Sequence, residues 1–141
     1  MIRTFIALPL PDSVKQALEE TTLSLKGRID ARWVRANAMH LTLKFLGDIA
    51  EDIVPALGLG LDVICAQCPE LEFSLDVLGA FPGRSRARII WASLTGAVKD
   101  LASLAAQMDR LCARYGIPPE TRTFRPHITL GRLKTPTMLD L

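Results

Sequence analysis

HLTLKFL, His40 to Leu46, and HITLGRL, His127 to Leu133, decide the reading of this chain. Each opens on one of the two histidines in the 141 residues and carries threonine two positions later, although Thr holds only ten positions in all. Residues i and i+2 of a strand share a face. Each His and its Thr therefore point one way, while Leu41, Leu43, Ile128 and Leu130 point into a core. On that parity Phe45 reads as core packing, and Gly47-Asp48 ends the first strand. Two strands with an apolar back and a His/Thr front are expected.

Outward from these strands, Ile2 to Leu8 is a short β-prone run closed by Pro9 and Pro11. Asp12 then offers an N-cap to a helix bearing Val14, Leu18, Thr21 and Leu25 on one face. Arg32-Trp33-Val34 reads as a short edge strand. A second helix begins at Asp52 and aligns Ile53, Leu57, Leu61, Ile64 and Cys68 until Pro69 stops it. Leu71 to Leu78 alternates, with Leu71, Phe73, Leu75 and Val77 on the predicted core face. Phe81 to Arg86 reads as a polar loop and Arg88 to Leu94 as a strand. A helix through Leu101, Leu104, Ala105, Met108, Leu111, Cys112 and Tyr115 follows, ended by Gly116 and Pro118-Pro119. The order β α β β α β β α β predicts an α+β domain over residues 1–141, made of two helix-bearing halves that each finish on a His-x-Thr strand.

The composition narrows the function classes. Apolar residues make up 49% and charged residues 23%, enough for a core and inconsistent with a disordered chain. A net charge of +2 is far from the basic balance of a non-specific nucleic-acid coat, so an anionic ligand has to be held locally. The apolar run Phe5 to Leu10 is broken by Pro9 and is much shorter than the roughly 20 residues of a membrane span; no membrane partner is expected and the cytoplasm is the default. Cys65, Cys68 and Cys112 fall in helical patterns, which argues against a disulfide framework. Cys65-Ala-Gln-Cys68 has CxxC spacing, but it closes a helix and lacks a second pair, so two small apolar side chains are the simpler reading.

The paired tetrapeptides carry a chemistry. An unperturbed imidazole titrates near pH 6.5, so about neutrality one ring accepts a proton while its partner donates one. In-line displacement at phosphorus uses both, with hydroxyl donors for the phosphoryl oxygens between them. If the halves pair about a pseudo-twofold axis, both imidazoles and both threonines meet in one groove. Which ring is acid and which is base stays open on sequence alone. Two imidazoles without a nearby Asp or Glu are a poor metal set, so no metal or cofactor is expected.

At these residues the sequence resembles the two-histidine (2H) phosphoesterases, which carry two His-x-Thr-x motifs on a bilobal α+β fold. Arg32-Trp33-Val34, His40 to Gly47, Phe81-Pro82, Arg88 to Trp91 and Arg125 to Arg132 look like the RNA 2',3'-cyclic phosphodiesterase branch, historically called 2'-5' RNA ligases. The resemblance implies a bilobal, duplicated fold and metal-independent opening of an RNA 2',3'-cyclic phosphate to a 2'-phosphate. Reversible 2'-5' joining is implied as a related activity, and tRNA fragments are among the RNA partners it suggests. Carried over residue by residue, His40 is the proton donor, His127 the proton acceptor, and Thr42 and Thr129 bind phosphate oxygens. Arg132 matches a phosphate-contacting position, although simple strand parity puts it opposite His127 unless Gly131 permits a bulge.

Arg84 and Arg86, with Arg88, form a candidate basic rim for an RNA backbone, and Phe5 and Phe124 are candidates for base stacking. Relatives in this branch continue beyond the second motif with further strands. The C-terminal sheet is therefore expected to be truncated here, with an uncovered edge that leaves a monomer or pairs a dimer. Two rival functions remain: a catalytically weak RNA-end or nucleotide-binding module, and a 2H phosphodiesterase acting on another small cyclic or 2'-5' nucleotide.

Overall fold

Proline and glycine punctuate the chain where its apolar periodicity changes, and the elements run between them. The computed structural model describes residues 1–141. In order come β1 (Ile2–Pro9), α1 (Asp12–Lys26), β2 (Arg32–Trp33), β3 (His40–Ile49), α2 (Val54–Ala66), β4 (Phe73–Phe81), β5 (Ala87–Gly96), α3 (Val98–Ala113) and β6 (His127–Thr137). This is the α+β order expected from the sequence. The strands pair as a two-stranded sheet, β1-β3, and a four-stranded sheet, β2-β6-β5-β4. No helix is long and apolar enough to cross a membrane.

The chain divides into two compact units, each drawn from three segments: Leu8–Leu41, Ser74–Thr95 and His127–Leu141 in one, Met1–Ala7, Thr42–Phe73 and Gly96–Pro126 in the other. The first places α1 on the four-stranded sheet. Pro11 is the N-cap of α1 with no side-chain cap bond, so Asp12 acts on the helix N-terminus by charge and not as the expected cap. The buried stripe is Leu18, Thr22 and Leu25, one residue off the expected Thr21. The buried Thr22 hydroxyl is satisfied by donating to Glu19 O at 2.9 Å. Leu18 packs in one cluster with Met39, Ala92, Ile128 and Leu130, and Leu25 in a second with Ile29, Ala80, Ala87, Ile90, Leu133 and Leu139. Ile90, Ile128 and Leu130 are fully buried, each worth about 1.5–3 kcal/mol by transfer from water.

One expectation changes here. On β4 the residues packed against the core clusters are Leu78 and Ala80, whereas Val77 is 56% exposed. The predicted core face, Leu75 and Val77, is thus the outer one. Alternation marks two faces but does not say which one a helix covers. On the side away from β5, β6 pairs with β2 at Arg32–Arg132 and Trp33–Gly131. Val34 N donates to Leu130 O at 2.8 Å and continues that seam.

The second unit holds α2, α3 and most of β1 and β3. A 3-10 turn at Glu51–Ile53 delays α2 to Val54, past the expected start. Gly60 of α2 lets α3 approach closely; a Cβ there would stand 2.7 Å from the Leu111 side chain. β3 runs through Gly47, which takes φ +74° and so continues the strand where termination was expected. Lys44 on β3 is buried; its Nζ forms an ion pair with Asp109 of α3 at 2.6 Å and donates to Pro118 O at 3.1 Å. Asp109 also accepts from Glu120 N at 3.0 Å. Burial works to raise the Asp109 carboxyl, but the hydrogen bonds from Lys44 and Glu120 and the charges of Lys44 and Arg110 outweigh it and hold its pKa below the ordinary value. Cys65 is exposed, against the packing role expected of it, Cys112 is buried, and all three cysteines are free.

Candidate functional site

β6 delivers His127 and Thr129 through the alternation read from sequence: both are half-buried and separated by the fully buried Ile128. Their cross-strand partners on β5 are Ser93 and Trp91, so these four side chains share one face. Beyond them the register slips. Ile90 faces Gly131 and Ile89 faces Arg132, leaving Leu130 as an extra residue between the two pairings. The slip is a β-bulge, and it reverses parity. Arg132 therefore lies on the face of His127 and Thr129, where plain alternation would have put it on the other. Gly131 turns to the opposite face, where a Cβ would stand 2.9 Å from the Trp33 ring.

β3 repeats the pattern. His40 and Thr42 are half-buried and separated by the buried Leu41; then Leu43 and Lys44 are both buried and Phe45 is 58% exposed. Phe45 is thus not the core residue expected, and its ring meets Phe5 of β1 with centroids 5.8 Å apart. The two motifs match beyond their tetrapeptides: in each, burial changes parity at the fourth residue after histidine, and an exposed side chain follows at the fifth.

The rings of the two histidines are held differently. His40 Nδ1 lies 2.9 Å from Ala38 O. A carbonyl only accepts, so Nδ1 carries the proton and Nε2 is the nitrogen left for proton exchange. His127 sits in an aromatic corner, edge-on to Phe81 with centroids 5.1 Å apart and 6.4 Å from Trp91. Phe81 and Trp91 pack on each other at 5.1 Å. Gly79 makes room for that indole, since a Cβ would come within 2.3 Å of it. Trp91 Nε1 is buried with no hydrogen-bond partner. The chain neighbours of the two histidines, Met39 and Ile128, belong to one buried cluster, so a shared core anchors both motifs.

The other candidates separate from this group. Arg84 and Arg86 occupy a 3-10 turn and do not continue the alternation of the strand. Arg84 is also structural: its Nη2 donates to Leu78 O at 3.3 Å and its carbonyl accepts from Leu139 N at 2.8 Å. Phe124 is half-buried in the irregular segment before β6. No group of three or more His, Cys, Asp or Glu is assembled as a metal-ligand set.

Residues 8–91 and 95–140 match the family described as LigT like phosphoesterase. The chain belongs to that family. This LigT-like phosphoesterase is 29% identical to the RNA 2',3'-cyclic phosphodiesterase of Aquifex aeolicus, over 96% of its own length and 72% of the relative's. Among solved structures it is similar to a protein of Thermus thermophilus, with a TM-score of 0.81 and 29% identity over 96% of this chain and 76% of that one. It is also similar to LigT of Escherichia coli, with a TM-score of 0.76 and 27% identity over 99% and 76%. Sequence reasoning quoted Phe81 and Trp91 only as part of the family resemblance and did not place them beside His127 in this phosphoesterase. For Phe81 the available signal was its odd position on β4, in step with Val77 and Gly79.

Proposed function

We propose that the chain opens RNA 2',3'-cyclic phosphate ends to 2'-phosphates by a two-histidine acid/base mechanism that uses no metal. His127 takes a proton from water, whose oxygen forms the new bond to phosphorus. The bond from phosphorus to the 3' oxygen breaks, and His40 supplies the proton that leaves this oxygen a hydroxyl. Thr42 and Thr129 donate to the phosphoryl oxygens as charge builds on them, and Arg132, on the same face, binds substrate phosphate. The same sequence with a 5'-hydroxyl of RNA in place of water forms a 2'-5' linkage and is the joining reaction. What supports the reading most is the shared face of His127, Thr129 and Arg132 that the bulge in β6 creates. It is seconded by the Nδ1 bond of His40, which a carbonyl can accept whether the ring is neutral or charged. The names carried by relatives supply the substrate class.

The test is incubation in EDTA with an RNA oligomer ending in a 2',3'-cyclic phosphate. The expected product is the 2'-phosphate isomer, with His40→Ala and His127→Ala each lowering the rate at least about a hundredfold, the lower end of what a positioned acid or base contributes. Product binding by a folded protein without turnover would favour the binding-module reading. Activity that survives either substitution would end the mechanism.

A further inference from the structure

Arg32 has no part in this mechanism. Arg32 of β2 stands directly opposite Arg132 of β6, and directly opposed residues of an antiparallel pair project from the same face. Like charges in that position repel. Both side chains are exposed, and neither forms an ion pair or a hydrogen bond within the chain. The flanking fold nevertheless holds the pair in place. Trp33 lies over Gly131 on the reverse face, and Val34 N bonds Leu130 O, so the two-residue strand β2 is fixed at the bulge. Because Arg132 faces Ile89 while Thr129 faces Trp91, the arginine row sits two strand residues from the threonine row, roughly 7 Å away. A step of that size separates neighbouring phosphates along a nucleotide strand.

We propose that Arg32, with Arg132, forms a second phosphate subsite that takes the 5'-phosphate of the nucleotide whose cyclic phosphate is opened. The proposal rests on the reading above, in which Thr129 and His127 receive the cyclic phosphate. Two guanidinium groups held side by side present a planar array of donors to one phosphate, and the bound anion cancels their repulsion. The subsite separates a nucleotide inside an RNA chain, which carries a 5'-phosphate, from a bare nucleoside 2',3'-cyclic phosphate, which does not. It therefore makes the enzyme selective for polymer ends over mononucleosides.

The experiment compares binding of two product-like probes, 2'-AMP and adenosine 2',5'-bisphosphate, to the wild-type chain and to Arg32→Gln, by calorimetry at several salt concentrations. Turnover of adenosine 2',3'-cyclic phosphate with and without a 5'-phosphate is measured alongside. The wild type is expected to bind the bisphosphate at least tenfold tighter than 2'-AMP and to show the same preference in kcat/KM. Arg32→Gln should bring both ratios to within about twofold of unity and flatten the salt dependence of bisphosphate binding by about one phosphate contact. Wild-type ratios near one, or ratios that Arg32→Gln leaves intact, would overturn the subsite. So would failure of the folded protein to bind either probe. A binding preference that depends on Arg32 in a protein that turns over neither cyclic phosphate would uphold the subsite and refute the hydrolytic reading instead.

Discussion

At the scale of single residues, the site depends on positions that carry no chemistry. Gly131 is the clearest, since its missing side chain lets the Trp33 ring seat β2 against the bulge. Gly131→Ala would set a methyl group 2.9 Å from that ring and push it outward. The expected outcome is a loss of about 1–3 kcal/mol, as for other overpacked sites, seen as a Tm several degrees lower. Unchanged stability would show that Trp33 yields without cost. The histidines and threonines were legible from sequence because period-two alternation is intact up to Leu43 and Leu130. Arg132 was legible only through the family resemblance and the bulge that Gly131 was read to permit, and Phe45 was not, since burial in β3 changes parity at Lys44, which alternation has no means of registering. The tie of Trp91 and Phe81 to His127 was equally hidden, because it depends on cross-strand register.

At the scale of elements, β3, α3 and the segment after it are joined by the buried Lys44–Asp109 pair. Asp109→Ala would leave the Lys44 ammonium buried without its countercharge, a loss of about 3–5 kcal/mol in comparable pairs. The pH dependence follows from the sign of the shift. A carboxyl whose folded pKa lies below its unfolded one stabilises the fold above the unfolded value, and the contribution fades as pH falls through the folded value. The gap in urea stability between wild type and Asp109→Ala is therefore expected to be full at neutral pH and to narrow in acid, below about pH 4. A gap independent of pH would show that packing carries the effect. Sequence periodicity placed all nine helices and strands in order, with errors at the ends. It failed on the covered face of β4, where Leu75 and Val77 alternate as a core strand would yet look outward, because the helix side belongs to Leu78 and Ala80.

At the scale of the whole molecule, the sequence suggested two successive halves, whereas the compact units interleave three segments each and both histidines fall in the same one. Interleaving is set by which distant strands pair, and local patterns are blind to it. The proposed mechanism makes the rate depend on one imidazole that accepts a proton and one that donates it. Hydrolysis is expected to follow a bell-shaped pH profile, and His127→Ala should remove the bell along with the rate. A profile flat from about pH 5 to pH 8 would argue against two working imidazoles.

The aromatic corner around His127 also gives the molecule an optical reporter. Indole fluorescence is quenched by a nearby imidazolium far more than by the neutral ring, and Trp91 lies 6.4 Å from the imidazole of His127. Of the two tryptophans, Trp33 packs beside Gly131 and Trp91 beside the histidine. In a Trp33→Phe background the light emitted by Trp91 then follows the charge of His127, so the protonation state of that imidazole can be watched in the resting protein, before any substrate is added.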